Sequence, residues 1–128
     1  MNYLAHIYLS GDDEEIIIGN FIGDFVKGHH FNEYTQMMRK GIILHRYIDS
    51  FTDTHAIVRR SKARLSEQYH KYSGIIIDIL YDHFLVKNWS NYCAAPLDEF
   101  IKKLTPVLDV FAGEEFAKKM AAKIKQMK

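Results

Sequence analysis

Apolar residues in this chain recur at the three-to-four-residue interval of a helix, and no convincing set of segments alternates with the period of two that strands require. Helical spacing of this kind leaves one economical solution, in which several amphipathic helices bury their apolar stripes against one another. Seven glycines and two prolines in 128 residues interrupt few of the periodic segments. The expected fold is therefore all-α, a helical bundle of about six to seven helices. The length suits one hydrophobic core, so residues 1–128 are expected to form a single helical domain.

Local signals place the elements. Asn2 to Leu9 is short and apolar and suits a helix or a strand. Asp12 or Asp13 can cap a helix with Glu14 and Glu15 in its first turn, running to about Lys27 with Gly28 as its C-terminal glycine. A third helix is expected from Asn32 or Glu33 to about Phe51, with a break at Thr52 to Thr54. Asp53 or Thr54 then caps a fourth helix ending near Tyr69, and Ser73 caps a fifth, Gly74 to about Asn88. The run IIIDIL within the fifth is β-branched, but its polar spacing favours a helix. Pro96 opens a sixth, and Gly113 separates it from a seventh, lysine-rich one.

Composition excludes several classes. With 48% hydrophobic residues the chain has enough apolar surface for a core, so disorder is not expected. A net charge of +1 gives no reason to expect a nucleic-acid partner. No apolar run approaches the length of a membrane span, so no membrane partner is expected either. The first fifteen residues lack the pattern of a signal peptide, and the single cysteine, Cys93, rules out an internal disulfide. Both features fit a cytoplasmic protein.

The chemistry lies in ionisable residues set inside apolar stretches. His6 sits within NYLAHIYL. Asp24 follows IIIGNFIG, with Asn20 four residues earlier on the same helical face. His45 follows GIIL, with Asp49 four residues on and Asp53 four beyond that. Asp78 interrupts IIIDIL, with Asp82 four residues later and His83 beside it. A semi-buried histidine or aspartate is costly unless it is paired or bound to a metal. Pairs four residues apart on several helices can converge on one ion in a bundle core. Imidazole with carboxylate, and no thiolate cluster, suits Mn²⁺, Mg²⁺, Fe²⁺ or Zn²⁺. Such an ion polarises a phosphoryl oxygen and acidifies water. The plainer readings are a hydrogen-bonded core histidine at His6, a surface ion pair among His45, Arg46 and Asp49, and a capping role for Asn20 and Asp24. GNFIGD has neither the lysine of a phosphate-binding loop nor dinucleotide spacing. Cys93 has no nearby base that would make it a nucleophile.

Four segments, MNYLAHIYLS, GNFIGDFVKG, KGIILHRYIDSFTDTH and the stretch from Ser73 to Trp89 with YDHFL, together resemble the acyl carrier protein phosphodiesterase family, in order and over about residues 1–105. The resemblance implies a divergent HD-domain-like fold. It also implies a metal-dependent phosphodiesterase that removes the 4′-phosphopantetheine arm from holo acyl carrier protein, with Mn²⁺ foremost, and hence a place in lipid and fatty acid metabolism. It makes Asp24, His45, Asp82 and His83 the candidate catalytic residues. The candidate metal ligands are His6, Asp24, His45, Asp49, Asp78 and Asp82. Members of the family are usually longer, so the chain is expected to be shortened after Pro96, with exposed apolar helix faces that favour a homodimer.

Because the implied partner is small and acidic, the basic run Arg59, Arg60, Lys62 and Arg64 is the candidate docking surface, with Arg60 and Arg64 on one helical face. The lysine-rich tail is the next candidate, and a solvated helix face is the plain alternative. Three competing functions remain: a shortened homologue that binds carrier protein without cleaving it, an HD-type phosphohydrolase acting on a small nucleotide, and a structural bundle whose polar residues pair internally.

Overall fold

A computed structural model of the chain describes residues 3–28 and 31–112, and among these it is all-helical, with no strand. Six α-helices run in order: α1 (Tyr3–Tyr8), α2 (Glu14–Ile22), α3 (Gln36–Thr54), α4 (Ala56–Tyr69), α5 (Ser73–Lys87) and α6 (Leu97–Ala112). Short 3₁₀ turns at Gly23–Phe25, His70–Tyr72 and Trp89–Asn91 join some of them. The expected seventh helix falls outside the described residues. No described helix is long and apolar enough to cross a membrane.

The chain forms two compact units, one through Tyr81 and the other from Asp82 onward. In the first, Leu4, Ile7, Ile17, Ile18, Phe21, Ile22, Ile42 and Ile48 make the core. The packing between α2 and α3 depends on glycines. A Cβ on Gly19 would collide with the Met38 carbonyl, and one on Gly41 would collide with the carbonyl of Ile16 and the backbone of Asn20. Two helix backbones therefore touch where other helix pairs are held apart by side chains. In the second unit Trp89 packs on Phe100, with ring centroids 4.8 Å apart, and its Nε1–H donates to the Ala95 carbonyl at 3.0 Å. Val86, Leu97, Ile101 and Leu104 are buried there too.

Several boundaries differ from the sequence-based expectation. Asp13, not Asp12, caps α2, accepting from the amides of Glu15 and Ile16 at 3.0 and 3.1 Å. That helix stops at Ile22, five residues before Lys27, and tightens into the 3₁₀ turn at Gly23–Phe25. Gly28 does adopt a positive φ of 59°, but it turns the chain well after the helix has ended. Thr35 caps α3, and the helix continues through the expected break to Thr54. The hydroxyls of Thr52 and Thr54 bond back to carbonyls one turn earlier, which satisfies them within the helix. His55 caps α4 in place of Asp53 or Thr54, its Nδ1 accepting from the Ile57 amide at 3.1 Å. Ser73 is the first residue of α5, and its hydroxyl donates back to the His70 carbonyl at 2.7 Å.

Candidate metal centre

Three helical elements bring His6, Asp24, His45 and Asp49 together. His6 is on α1, Asp24 is in the 3₁₀ turn after α2, and His45 and Asp49 are one turn apart on α3. The two imidazoles are buried and stacked, with centroids 3.9 Å apart and planes inclined by 13°. Gly23 makes room for this arrangement, since a Cβ there would strike the His45 ring. Just after this close approach the 3₁₀ turn sets Asp24 Oδ1 2.9 Å from the Nε2 of His45.

The hydrogen bonds fix which nitrogen of each ring donates. His45 Nδ1 lies 2.8 Å from the main-chain carbonyl of Asn20, which can only accept, so Nδ1–H donates. His6 Nδ1 lies 2.9 Å from Oδ1 of Asn20. The orientation of that amide is set by its other end, whose Nδ2 donates to the His6 carbonyl at 2.8 Å and to Ser10 Oγ at 2.7 Å. Ser10 Oγ itself donates to the His6 carbonyl at 2.7 Å. His6 Nδ1 is therefore also a donor.

Both Nε2 atoms then face carboxylate oxygens. His6 Nε2 is 3.0 Å from Asp49 Oδ1. His45 Nε2 is 3.3 Å from Asp49 Oδ2 and 2.9 Å from Asp24 Oδ1. A neutral ring with its proton on Nδ1 presents an Nε2 lone pair, and a lone pair set against a carboxylate is repulsive unless a positive charge lies between them. For His6, burial first and the neighbouring His45 second hold proton affinity below the ordinary value, against the pull of Asp49. A divalent cation meets the demand without protonating buried rings. Donor atoms of His6, His45 and Asp49 lie within 4.8 Å of one another, close enough to share one ion. Two imidazoles and a carboxylate are a donor set that Mn²⁺, Fe²⁺ or Zn²⁺ accepts, and each ring is oriented by a carbonyl-type acceptor on its far nitrogen.

Other expectations are met in part. Asp24 is more than half exposed, unlike the semi-buried residue its apolar flanks suggested, so it stands at the solvent side of the cluster. Asn20 and Asp24 do not share a helical face, because α2 ends between them, yet both address the His45 ring. Arg46 makes no surface ion pair with Asp49: its guanidinium donates to the Val26 carbonyl at 3.1 Å and lies over Phe31. Asp78 is half-buried on α5 and is not a member of the three-residue group. In the second unit Asp82 is buried, while His83 is exposed and borders a cavity of about 550 Å³ with Lys87, Trp89 and Ser90. Arg59, Arg60 and Arg64 are exposed on α4, and Lys62 lies 3.8 Å from Asp53.

Sequence reasoning missed Ser10, and it gave Asn20 no role at the histidines. A fully polar amide between Gly19 and Phe21, inside a run of isoleucines, was the available signal, since a buried amide must have its hydrogen bonds satisfied. Tyr3 was also missed. Burial, and secondarily the charge of Asp24, raise its hydroxyl above the ordinary value, which places it within electrostatic reach of the cluster.

A model of the acyl carrier protein phosphodiesterase family matches residues 1–128. Curated relatives bear the name acyl carrier protein phosphodiesterase. The one from Yersinia enterocolitica is 36% identical over 99 residues, covering 75% of this chain and 51% of the relative. The one from Serratia proteamaculans is 39% identical over 89 residues, covering 70% and 46%. The one from Klebsiella pneumoniae strain 342 is 34% identical over 113 residues, covering 84% and 58%. The chain thus spans about half the length of the curated relatives it matches. No solved structure gives a significant match.

Proposed function

The chain belongs to the acyl carrier protein phosphodiesterase family, and on that footing we propose that it is a divalent-metal-dependent phosphodiesterase that cleaves the 4′-phosphopantetheine–serine phosphodiester of holo acyl carrier protein. One observation supports the reading above the others. Two buried histidines, each with Nδ1 committed as a donor, aim Nε2 at the two oxygens of one carboxylate. Internal pairing alone would leave two lone pairs opposed to a negative group.

In this reading His6, His45 and Asp49 hold the cation, Mn²⁺ foremost and Mg²⁺, Fe²⁺ or Zn²⁺ as alternatives, and Asp24 stands beside it. When bound, such an ion polarises a phosphoryl oxygen and acidifies water. The chain's own residues do the rest. Asp24, at the exposed edge and 2.9 Å from His45 Nε2, is placed to accept a proton from a water molecule approaching from solvent. Asp49 balances charge across both rings. Asp78, in the same unit, is proposed as a further metal ligand, and Asp82 and His83 of the second unit are proposed as catalytic residues in their own right. The exposed Arg59, Arg60 and Arg64 of α4, with Lys62, offer the positive surface an acidic carrier protein requires.

The test is mass spectrometry of holo acyl carrier protein incubated with the protein and Mn²⁺. Appearance of the apo form, abolished by chelation and by Asp24→Ala, is the expected result. No apo form under any divalent metal, with tight binding of the carrier retained, would favour the second reading: a carrier-binding module without catalysis.

A further inference from the structure

Asn20 touches the candidate metal centre twice, by two different parts of itself. Its side-chain Oδ1 accepts from His6 Nδ1–H at 2.9 Å, and its main-chain carbonyl accepts from His45 Nδ1–H at 2.8 Å. The side chain is fully buried and both of its donors are used, Nδ2 being held by the His6 carbonyl and by Ser10 Oγ. The main-chain carbonyl is equally committed, since it also accepts the amide of Gly23, where α2 tightens. One residue thus sets the donor nitrogen of both imidazoles.

We propose that Asn20 is the positioning residue of this centre: it holds the proton on Nδ1 of both rings, so that both Nε2 atoms are left to a divalent cation. The proposal deepens the reading of the cluster as a metal centre and rests on it for the identity of the ligand. Its chemistry requires a neutral amide. Only an amide can present an acceptor to His6 Nδ1 while donating to the His6 carbonyl and to Ser10 from its other end. Without that acceptor, the better partner for a His6 proton is Asp49 Oδ1, 3.0 Å from Nε2. The proton would then move to Nε2 and occupy the position that a cation needs. His45 would be untouched by any change of the Asn20 side chain, because its acceptor is the backbone.

The two rings therefore form a built-in comparison. In Asn20→Leu, which keeps the branched shape and removes the acceptor, nitrogen NMR of the metal-free protein should show His6 shifted from the Nδ1–H to the Nε2–H form, with His45 still Nδ1–H. Mn²⁺ affinity, measured by calorimetry, should fall by about 10- to 100-fold, the usual loss when an outer partner of a ligating histidine is removed. Asn20→Asp restores the acceptor but not the two donors, and should return the His6 proton to Nδ1 while leaving the His6 carbonyl and Ser10 without the amide's bonds. If Asn20→Leu does not fold, Ser10→Ala serves in its place. It removes one of the two groups that orient the amide, and should weaken Mn²⁺ binding several-fold with unchanged helicity and an unmoved His45 signal.

A parent protein whose His6 carries no Nδ1 proton overturns the proposal. So does a variant in which His6 keeps that proton, or in which both rings change together. Failure of the metal reading looks different: the parent would bind no divalent ion, while the His6 and His45 signals would still separate in the variant as described.

Discussion

The crossing of α2 with α3 and the neighbouring helix α4 solve opposite problems with the same kind of local structure. In α2, six of nine residues are buried and two backbones meet at Gly19 and Gly41. In α4, no residue is buried, and the helix carries three exposed arginines. The outer face of α3 resembles α4 in exposure, since Ile43, Tyr47 and Phe51 form a stripe at four-residue spacing that is open to solvent. His45, whose Nδ1–H donates to the Asn20 carbonyl of α2, sits in the first environment. The exposed arginines sit in the second. Precision at the centre and availability at the surface are thus assigned to different helices.

The sharpest way to break this comparison is at the glycines. Gly19→Ala sets a methyl against the Met38 backbone, which cannot swing aside as a side-chain tip could. Overpacking of this kind should cost about 1–3 kcal/mol or more. Ala63→Gly, on exposed α4, should cost only the helix-propensity difference of about 0.5–1 kcal/mol. Urea unfolding of both variants checks this, and equal losses would show that the crossing is not the tighter region.

Next in size is the loss of a proposed ligand. His45→Ala or Asp49→Ala should lower Mn²⁺ affinity by more than the roughly 10- to 100-fold expected of an outer partner. Asp53→Ala, an exposed carboxylate one turn further along α3, should leave it unchanged. Calorimetric titration distinguishes these outcomes, and equal effects at Asp49 and Asp53 would remove Asp49 from the centre.

A smaller effect belongs to α4. Reversing charge at Arg60 and Arg64 should weaken binding to holo acyl carrier protein, with each exposed contact contributing about 0.2–1 kcal/mol. The deficit should shrink as salt is added, since exposed charges are screened beyond about 10 Å at 0.1 M. Stability should shift by no more than about 0.5 kcal/mol, because nothing on this helix is buried. Binding at low salt as tight as the parent's would move the docking surface elsewhere.

The smallest effect is on the pH dependence of folding. His6 has its proton affinity lowered in the folded chain, so the unfolded chain binds more protons between that lowered value and the ordinary 6.5. With metal chelated, the His6 contribution to stability should be constant above about pH 7 and decline as pH falls through about 6.5. His6→Gln should flatten that decline in thermal melts, and an unaltered slope would assign it to other groups.

Much of this was written in the sequence. Helical spacing is a local property, and it yielded an all-α fold and a helix through IIIDIL despite its β-branched residues. The placement of His6, Asp24, His45 and Asp49 among apolar neighbours marked them as chemically unusual, since an ionisable group in such a setting needs a partner. The interval of four between His45 and Asp49 put both on one turn without reference to any other helix.

Only the tertiary structure could decide which of these residues share a centre and how their protons are arranged. His6 meets Asn20 and Asp49 across 14 and 43 positions of chain, separations over which sequence spacing carries no geometric information. The end of α2 at Ile22 was likewise hidden, because Gly23 yields to a ring that arrives from another helix. Periodicity reports which face of a helix is apolar. It does not report how closely two backbones approach, and that approach, set here by Gly19 against Gly41, delivers the Asn20 carbonyl to the His45 ring.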